Sequence, residues 1–250
     1  MANPLRVVIW NASGISNHKL EHQTFLEMHK IDIAFISETH LTSRKVFKSH
    51  ATLHTIPYTD DNAHGGAVDI IRSSIRHHEL LHHNSDKIQG ATIQFVAQQW
   101  SLTISAIYCS PRLAISTDEY TTPFRFPRSR FLSVGDWNAK HTVWGARLIT
   151  QKDRNPFKVL SSYNSHYFSI SGRTYWPTDL TKLREFLDFL VACGIPANSI
   201  KVESAFELSP DYSPVTATIG ASTTNKAPIP TIATTHTIWD KFRAYINEKN

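Results

Sequence analysis

Six side chains with carboxylate or amide groups could together carry out hydrolytic chemistry, and most of them end a short apolar run. They are the carboxylates Glu38, Asp136, Asp188 and Asp211 and the amides Asn11 and Asn138. Mg²⁺ prefers oxygen ligands of this kind and usually keeps several water molecules and a substrate phosphate. A metal ion beside carboxylates, with an aspartate that aligns or deprotonates water, is the machinery of phosphodiester hydrolysis. Turns and helix caps use the same residue types, so a structural role stays open for each of them.

Short runs of β-branched and aromatic residues predict the strands that position these side chains. Such runs occupy residues 6–10, 33–37, 131–134 and 215–219, and two more lie within 92–107 around Trp100. The first run leads into Asn11, the second into Glu38 and the third into Asp136. In layered α/β proteins, functional side chains sit at strand ends, where loops reach a ligand. Many short strands with few strong helices predict an α/β sandwich of two packed sheets.

Two segments have the spacing of helices. Asn17 could cap a helix over residues 18–30, whose inner face would carry Leu20, Phe25 and Met28. The second segment has leucines at helical spacing and Gly194 as a stop; they are Leu180, Leu183, Leu187 and Leu190. On residue pattern alone, this segment is a helix that carries Asp188.

Composition narrows the class of protein. The 250 residues are 41% apolar and 19% charged, which is typical of a globular chain. No apolar run is long enough to span a membrane, and the first residues do not look like a secretory signal. Two cysteines, Cys109 and Cys193, suit a reducing compartment. The net charge of +5 permits a polyanionic partner.

The chain divides by composition into a globular part and a tail. We expect one α/β domain over residues 1–220. Residues 221–250 are expected to form a linker rich in Thr, Pro and Ala, followed by a short helix that begins near Trp239.

Five motifs occur in a characteristic order. They are Trp10-Asn11, Ser37-Glu38-Thr39-His40, Ile107-Tyr108-Cys109-Ser110-Pro111, Gly135-Asp136-Trp137-Asn138-Ala139-Lys140-His141 and Leu187-Asp188-Phe189. In this order and spacing they resemble the endonuclease/exonuclease/phosphatase superfamily. With Trp144-Gly145 and the run from Thr174 to Thr178, the chain more closely resembles the apurinic-type endonuclease domain of jockey-like non-LTR retrotransposons. The resemblance covers roughly residues 5–220.

The resemblance implies a four-layer α/β sandwich that nicks one strand of double-stranded DNA to prime reverse transcription. It implies Mg²⁺ or Mn²⁺ as the cofactor, no small-molecule cofactor, and a nuclear site of action after cytoplasmic synthesis. It also favours a strand, not a helix, over residues 187–192. The oligomeric state stays open.

The resemblance also implies roles for individual residues. Glu38 would hold the divalent metal, with Asn11 close to it. Asp136 would activate the attacking water molecule, and Asn138 would hold phosphate or metal. Tyr108 would contact the scissile phosphate.

The chain departs from the family pattern near its C-terminus. Asp188 would normally orient a histidine, but the family's Ser-Asp-His is Pro210-Asp211-Tyr212 here. A histidinium donates a charged hydrogen bond to the developing negative charge, whereas a tyrosine donates a neutral one. Losing one such donor typically costs on the order of a hundredfold to a thousandfold in rate. We therefore expect weakened turnover.

Two further departures concern the scaffold. Asp69 follows the glycine pair where the family has an apolar strand, and we expect its carboxylate either to face solvent or to be costly. Pro123 and Pro127 interrupt the family's helix before the Gly-Asp motif.

A basic, aromatic stretch over residues 112–158 suits binding to a phosphate backbone and stacking or wedging into a groove. From it we predict the DNA contacts Arg112, Arg125, Arg128, Lys140 and Trp144. A solvated surface over a core would have the same composition.

Two other functions stay open. One is a catalytically inactive DNA-binding remnant or truncated retrotransposon copy of the same fold. The other is a phosphoesterase of the superfamily that acts on a lipid or inositol phosphate. The histidine pairs at 77–78 and 82–83 lack a Cys-x-x-Cys partner, so we do not expect a zinc site there.

Overall fold

The computed structural model describes residues 4–42, 52–56, 65–96, 101–124, 130–147, 149, 154–163, 165–170, 172–177, 181, 184–205, 208 and 211–222. Two mixed sheets of six strands dominate it. The first contains β1 (Pro4–Asn11), β2 (Ile33–Ser37), β3 (Thr52–Ile56), β4 (Ala67–Ile71), β11 (Ile200–Ser204) and β12 (Val215–Ser222), in the spatial order β11-β12-β1-β2-β4-β3. The second contains β5 (His77–Asn84), β6 (Ile88–Val96), β7 (Ser101–Cys109), β8 (Phe131–Asp136), β9 (His166–Phe168) and β10 (Asp188–Cys193), in the order β5-β6-β7-β8-β10-β9.

Alternating residues of the central strands pack into two separate core layers. Val7 and Ile9 of β1 belong to the cluster that also contains buried residues of the second sheet, such as Ile104. Val8 and Trp10 belong to a separate cluster on the outer face of the first sheet. Because side chains alternate along a strand, a strand buried on both faces reads as a continuous apolar run.

In the part of the chain that the structure describes, three α-helices pack against the sheets. α1 (Lys19–Met28) packs on the first sheet, where its Phe25 joins the outer cluster. α2 (Thr117–Thr121) and α3 (Arg154–Ser162) contact each other, and their buried Tyr120, Val159 and Leu160 belong to the core cluster that contains the second sheet. The result is helix, sheet, sheet and helix layers, so the predicted α/β sandwich is confirmed. No helix in these described residues is long and apolar enough to cross a membrane.

The predicted inner face of α1 is wrong in two of its three residues. Phe25 is buried, but Leu20 is 77% exposed and Met28 is 72% exposed. At 3.6 residues per turn, the buried His22 shares a face with Phe25, whereas Leu20 lies on the opposite side. The buried face therefore includes the polar His22, which the apolar pattern does not identify.

The leucine-spaced segment is a strand where residue pattern alone indicated a helix. Asp188 to Cys193 form β10, which pairs with β8 on one side and β9 on the other. Both faces of this strand are buried, so its residues are apolar without alternation. Extended structure here is what the family resemblance favours.

The two scaffold departures have different outcomes. Asp69 lies in β4 and is 1% exposed, so it does not face solvent. α2 stops at Thr121 and is followed by a 3₁₀ turn over Thr122–Phe124, in agreement with a break at Pro123. Pro127, Trp100 and residues 223–250 lie outside the described residues, so the linker and the terminal helix stay predictions.

Candidate active site

The second sheet places three candidate side chains in one row across neighbouring strands. Tyr108 of β7 is the register partner of Asp136 at the end of β8, and Asp136 is in turn the partner of Asp188 at the start of β10. Register partners project to the same face of a sheet. All three are at most 8% exposed.

The first sheet contributes two residues through hydrogen bonds that join the sheets. Asn11 ends β1, and its Nδ2 donates to Asp136 Oδ2 over 3.1 Å. Glu38 follows β2, and its Oε1 accepts the Tyr108 hydroxyl proton over 3.2 Å. Because β1 and β2 are parallel and in register at Asn11 and Ser37, their ends meet at one edge of the sandwich. The predicted residues are therefore brought together.

Two of these residues have a strained backbone. Glu38 has φ 49° and Asn138 has φ 46°, in the left-handed region that non-glycine residues rarely occupy. The Glu38 carbonyl oxygen accepts the Gly14 amide proton over 2.8 Å. The Asn138 amide donates to Asp136 Oδ1 over 3.0 Å, and its side-chain Nδ2 donates to the Cys109 carbonyl oxygen over 2.9 Å. Strained residues held by several bonds of this kind cluster at functional sites.

Thr174 holds the start of β10 in place and was not singled out as a site residue from the sequence. It is fully buried, and its Oγ1 accepts the amide protons of Leu187 and Asp188 over 3.1 and 3.3 Å. Its only sequence signal is its position in the motif that supports the narrower family resemblance. Asp188 Oδ1 is buried and makes no hydrogen bond to the described residues.

Burial and mutual repulsion make these carboxyl groups weak acids. Burial raises the pKa of Asp136, and the charges of Asp188 and Glu38 raise it further. Hydrogen bonds from Asn11 and Asn138 act in the opposite direction. Burial and Glu38 also raise the pKa of Asp188, and a hydrogen bond with Thr174 opposes this. The pair therefore holds a proton more readily than exposed carboxyl groups do.

Tyr212 stands beside this acidic group. It forms an isolated bridge with Tyr175, and the two rings are tilted with centroids 4.9 Å apart. Burial raises the pKa of the Tyr212 hydroxyl, and the charges of Glu38, Asp136 and Asp188 add to the rise. The hydroxyl therefore stays protonated at physiological pH. Asp211 is half-buried, and its carbonyl oxygen accepts the Trp176 amide proton over 2.7 Å.

The donor set suits a divalent cation that keeps part of its water shell. Glu38 is half-buried and supplies a carboxylate. The Asn11 side-chain amide is bonded to the neighbouring Asp136 carboxyl group. Within the described ranges, no three His, Cys, Asp or Glu side chains are grouped closely enough to hold a metal ion by themselves. Mg²⁺ needs no such cage, because it is usually bound by one or two carboxylates plus substrate phosphates. The unpartnered Asp188 oxygen and the carboxylate repulsion are consistent with a cation here.

The predicted DNA contacts divide into three groups. Arg112 is exposed, and Lys140 is half-buried in an ion pair with Glu185 at 3.0 Å. Arg125 and Arg128 lie outside the described residues. Trp144 is 1% exposed and its indole Nε1 donates to the Ala139 carbonyl oxygen over 3.0 Å, so its predicted DNA contact is wrong.

Other aromatic residues of the basic stretch that the structure describes also belong to the core. Phe124 and Trp137 are buried and their rings stack with centroids 6.0 Å apart. Trp144 stacks on Phe189 of β10 at 4.7 Å. The aromatic residues of this stretch that the structure describes as buried thus support the sheet, not a groove.

The chain matches no family model. It is 29% identical over 238 residues to the probable RNA-directed DNA polymerase from transposon BS of Drosophila melanogaster, covering 94% of this chain and 26% of that protein. It is 25% identical over 245 residues to the RNA-directed DNA polymerase from mobile element jockey of Drosophila funebris, covering 98% of this chain and 27% of that protein. The chain thus spans about a quarter of the length of the curated relatives it matches.

Two solved structures share the fold. The endonuclease domain of TRAS1, a telomere-specific non-LTR retrotransposon, has a TM-score of 0.71 and 17% identity, covering 86% of this chain and 98% of that one. The AP endonuclease LMAP from Leishmania major has a TM-score of 0.67 and 11% identity, covering 87% of this chain and 88% of that one. The chain therefore has the endonuclease/exonuclease/phosphatase fold of the AP endonucleases. By sequence it is similar to part of the RNA-directed DNA polymerases of transposon BS and mobile element jockey.

Proposed function

We propose that this chain is a divalent-metal-dependent DNA endonuclease that nicks one strand of a duplex. The observation that carries the proposal is the pair of hydrogen bonds from Asn11 to Asp136 and from Tyr108 to Glu38. These bonds gather four candidate residues from two sheets at one edge of the sandwich. The sequence relatives are polymerases of mobile elements, and the most similar fold described above is a retrotransposon endonuclease domain.

In this proposal, the carboxylate of Asp136 accepts a proton from the attacking water molecule. Asn11 donates to one of its oxygens and the Asn138 amide to the other, so its orientation is fixed. A raised pKa brings this carboxylate closer to the neutral range, where a general base works best. Mg²⁺ or Mn²⁺ bound at Glu38 would supply positive charge to a phosphate oxygen.

Tyr212 takes the place of a charged hydrogen-bond donor in this site. Because its hydroxyl stays protonated beside the three carboxylates, it donates only a neutral hydrogen bond. Neutral hydrogen bonds stabilise a developing phosphorane charge less than charge-assisted ones do. We therefore expect slow hydrolysis.

DNA recognition rests on two basic side chains near this edge, the exposed Arg112 and the half-buried Lys140. Arg112 follows β7, three residues after Cys109, and Lys140 follows the Asp136–Asn138 turn. Contacts of this type bind the phosphate backbone without reading sequence. The proposal includes action on nuclear DNA.

The second candidate is a DNA-binding protein of the same fold without hydrolysis. The observation that favours it is Tyr212 in the place of the family's histidine. Both candidates predict DNA binding that weakens as salt is raised.

Nicking of supercoiled plasmid by the purified chain separates the two. The endonuclease proposal predicts conversion to open circles with Mg²⁺ or Mn²⁺ and none with EDTA. Folded protein that binds DNA and yields no open circles at any metal concentration would leave the binding candidate.

A further inference from the structure

A small cavity lies between the two sheets, beneath the candidate active site. Its lining includes Ile9, Phe35, Ser37, Asp69, Tyr108 and Gly135. Its volume is about 10 Å³. That is close to the smallest volume that holds one water molecule.

Two polar side chains in this cavity lack hydrogen bonds to any described residue. Asp69 is 1% exposed and neither of its carboxyl oxygens is bonded, and the buried Ser37 Oγ is not bonded either. Phe35 is the register partner of Asp69, and Ser37 is the partner of Ala67. Because Phe35 belongs to the core cluster shared with the second sheet, Asp69 and Ser37 both face inward.

A buried polar group without a hydrogen bond is costly, and native structures rarely retain one without a partner. Buried water normally makes two to four hydrogen bonds to such groups. Asp69 and Ser37 supply three polar atoms in a space of matching size. We propose that this cavity is a binding site for one ordered water molecule, held between the Asp69 carboxyl group and the Ser37 hydroxyl.

The charge state of Asp69 fits a water molecule better than a cation. Burial raises the pKa of Asp69, and the charge of Glu79 raises it further. A neutral carboxyl group can donate to the water molecule through its hydroxyl and accept from it through its carbonyl oxygen. Mg²⁺ is excluded by size, because it is octahedral and usually keeps several waters of its own. This site does not depend on the proposed nuclease activity.

A crystal structure of the full chain tests the site directly. We expect one well-ordered water molecule within hydrogen-bond distance of both Asp69 and Ser37. An empty cavity would overturn the proposal. A sodium ion in the cavity would also overturn it. Sodium would be recognised by density with about five short oxygen contacts and by an unfolding midpoint that rises in NaCl but not in choline chloride.

Thermal unfolding of Asp69→Val, Ser37→Ala and the double variant provides the second test. If one water molecule bridges the two groups, the double variant unfolds at a temperature no lower than Asp69→Val alone, because the first change already removes the water. Thr103→Val is the matched control, since Thr103 Oγ1 is also buried without a hydrogen bond to the described residues but does not line this cavity. Its effect should add to that of Asp69→Val.

Two results of the unfolding series would contradict the water site. One is an Asp69→Val variant that unfolds at a higher temperature than the parent, because that identifies an unsolvated acid whose removal relieves a cost. The other is full additivity between Asp69→Val and Ser37→Ala. If Asp69→Val does not fold, Asp69→Asn replaces it: Asn keeps both a donor and an acceptor, so its crystal structure should retain the water molecule and loss of that water would overturn the proposal.

Discussion

Asp136 and Asp188 are register partners on neighbouring antiparallel strands, so two buried carboxyl groups lie side by side on one face of the sheet. Their burial is compensated on the Asp136 side by Asn11 and Asn138 and on the Asp188 side by Thr174. One Asp188 oxygen is still without a hydrogen bond to the described residues. A fold does not gain stability from such a pair, so the arrangement points to chemistry at this edge.

Replacing Asp136 by Asn should abolish nicking and spare the fold. The variant keeps the shape of the side chain but removes the carboxylate that we propose activates water, together with its repulsion with Asp188. General base catalysis is typically worth about a hundredfold to ten-thousandfold, so we expect at least a hundredfold slower plasmid nicking in Mg²⁺. The variant should still unfold cooperatively, at a somewhat lower temperature, because an amide has a single acceptor oxygen and can keep only one of the two hydrogen bonds that Asp136 accepts.

Glu203→Gln is the matched control for this change. Glu203 is an exposed carboxylate of β11, paired with Lys201 at 2.8 Å and placed outside the candidate site. Its variant should nick at the parental rate. An Asp136→Asn protein that nicks as fast as this control would remove Asp136 from the mechanism.

Asn138 offers a way to separate backbone strain from side-chain chemistry. Its φ of 46° is costly for Ala and easily adopted by Gly. Asn138→Ala should therefore unfold at a lower temperature than Asn138→Gly. Both should lose metal-dependent nicking, because both lack the amide. Activity in Asn138→Gly close to that of the parent would show that this amide serves only the turn.

The strand ends that carry the site were predictable because apolar runs and polar residues alternate sharply there. Asn11, Glu38 and Asp136 each follow a run rich in apolar residues, and each lies at or just after the end of a strand. Pairing between strands was not predictable from these runs, since it depends on contacts between residues far apart in the sequence. Nothing local indicates that Asn11 bonds to a residue 125 positions away.

Elsewhere, local pattern was misleading for identifiable reasons. The strand β10 is apolar on both faces, which removes the alternation that marks a strand. In α1, His22 is buried against Trp10, with ring centroids 5.7 Å apart, in a position that a hydrophobic pattern does not assign to histidine. Thr174 acts through its hydroxyl on two backbone amides, and a lone threonine has no pattern that reveals this.

Substitution of Arg112 should affect DNA binding, whereas substitution of Trp144 should affect the stability of the fold. Arg112→Gln should weaken DNA binding and reduce the salt dependence by about one unit of slope, with unfolding unchanged, because the residue is exposed. Trp144→Ala should destabilise the fold by about 3–5 kcal/mol, because the ring is fully buried. Fluorescence anisotropy with labelled duplex at several salt concentrations, with thermal unfolding, checks both. Equal losses of affinity for the two folded proteins would contradict the burial argument.

The buried His22 should make the protein less stable in mild acid. Burial lowers its pKa from 6.5 to about 4, so between these values the unfolded chain takes up a proton that the folded chain does not. The free energy of unfolding therefore has its full value, as far as His22 is concerned, above pH 6.5, and it decreases as the pH falls toward 4. From pH 7 to pH 5 the loss is about 2 kcal/mol.

The comparison with His22→Phe isolates this effect, because Phe keeps an aromatic ring against Trp10 and cannot titrate. The raised pKa values of Asp69 and Asp136 make the protein more stable as the pH falls, which is opposite to the effect of His22. Both carboxyl groups are present in the parent and in the variant, so their effect cancels in the comparison. Urea unfolding at pH 7 and pH 5 measures the difference. Identical pH dependence in the parent and the variant would show that His22 is not held in its neutral form.

The most direct test of the account is plasmid nicking in Mg²⁺ by the parent chain and Tyr212→His. A histidine at this position would lie beside carboxylates whose charges favour its protonated form, and it would donate the charged hydrogen bond that tyrosine cannot. We predict that Tyr212→His nicks on the order of a hundredfold to a thousandfold faster than the parent. A folded, DNA-binding Tyr212→His protein that nicks no faster than the parent would contradict the account.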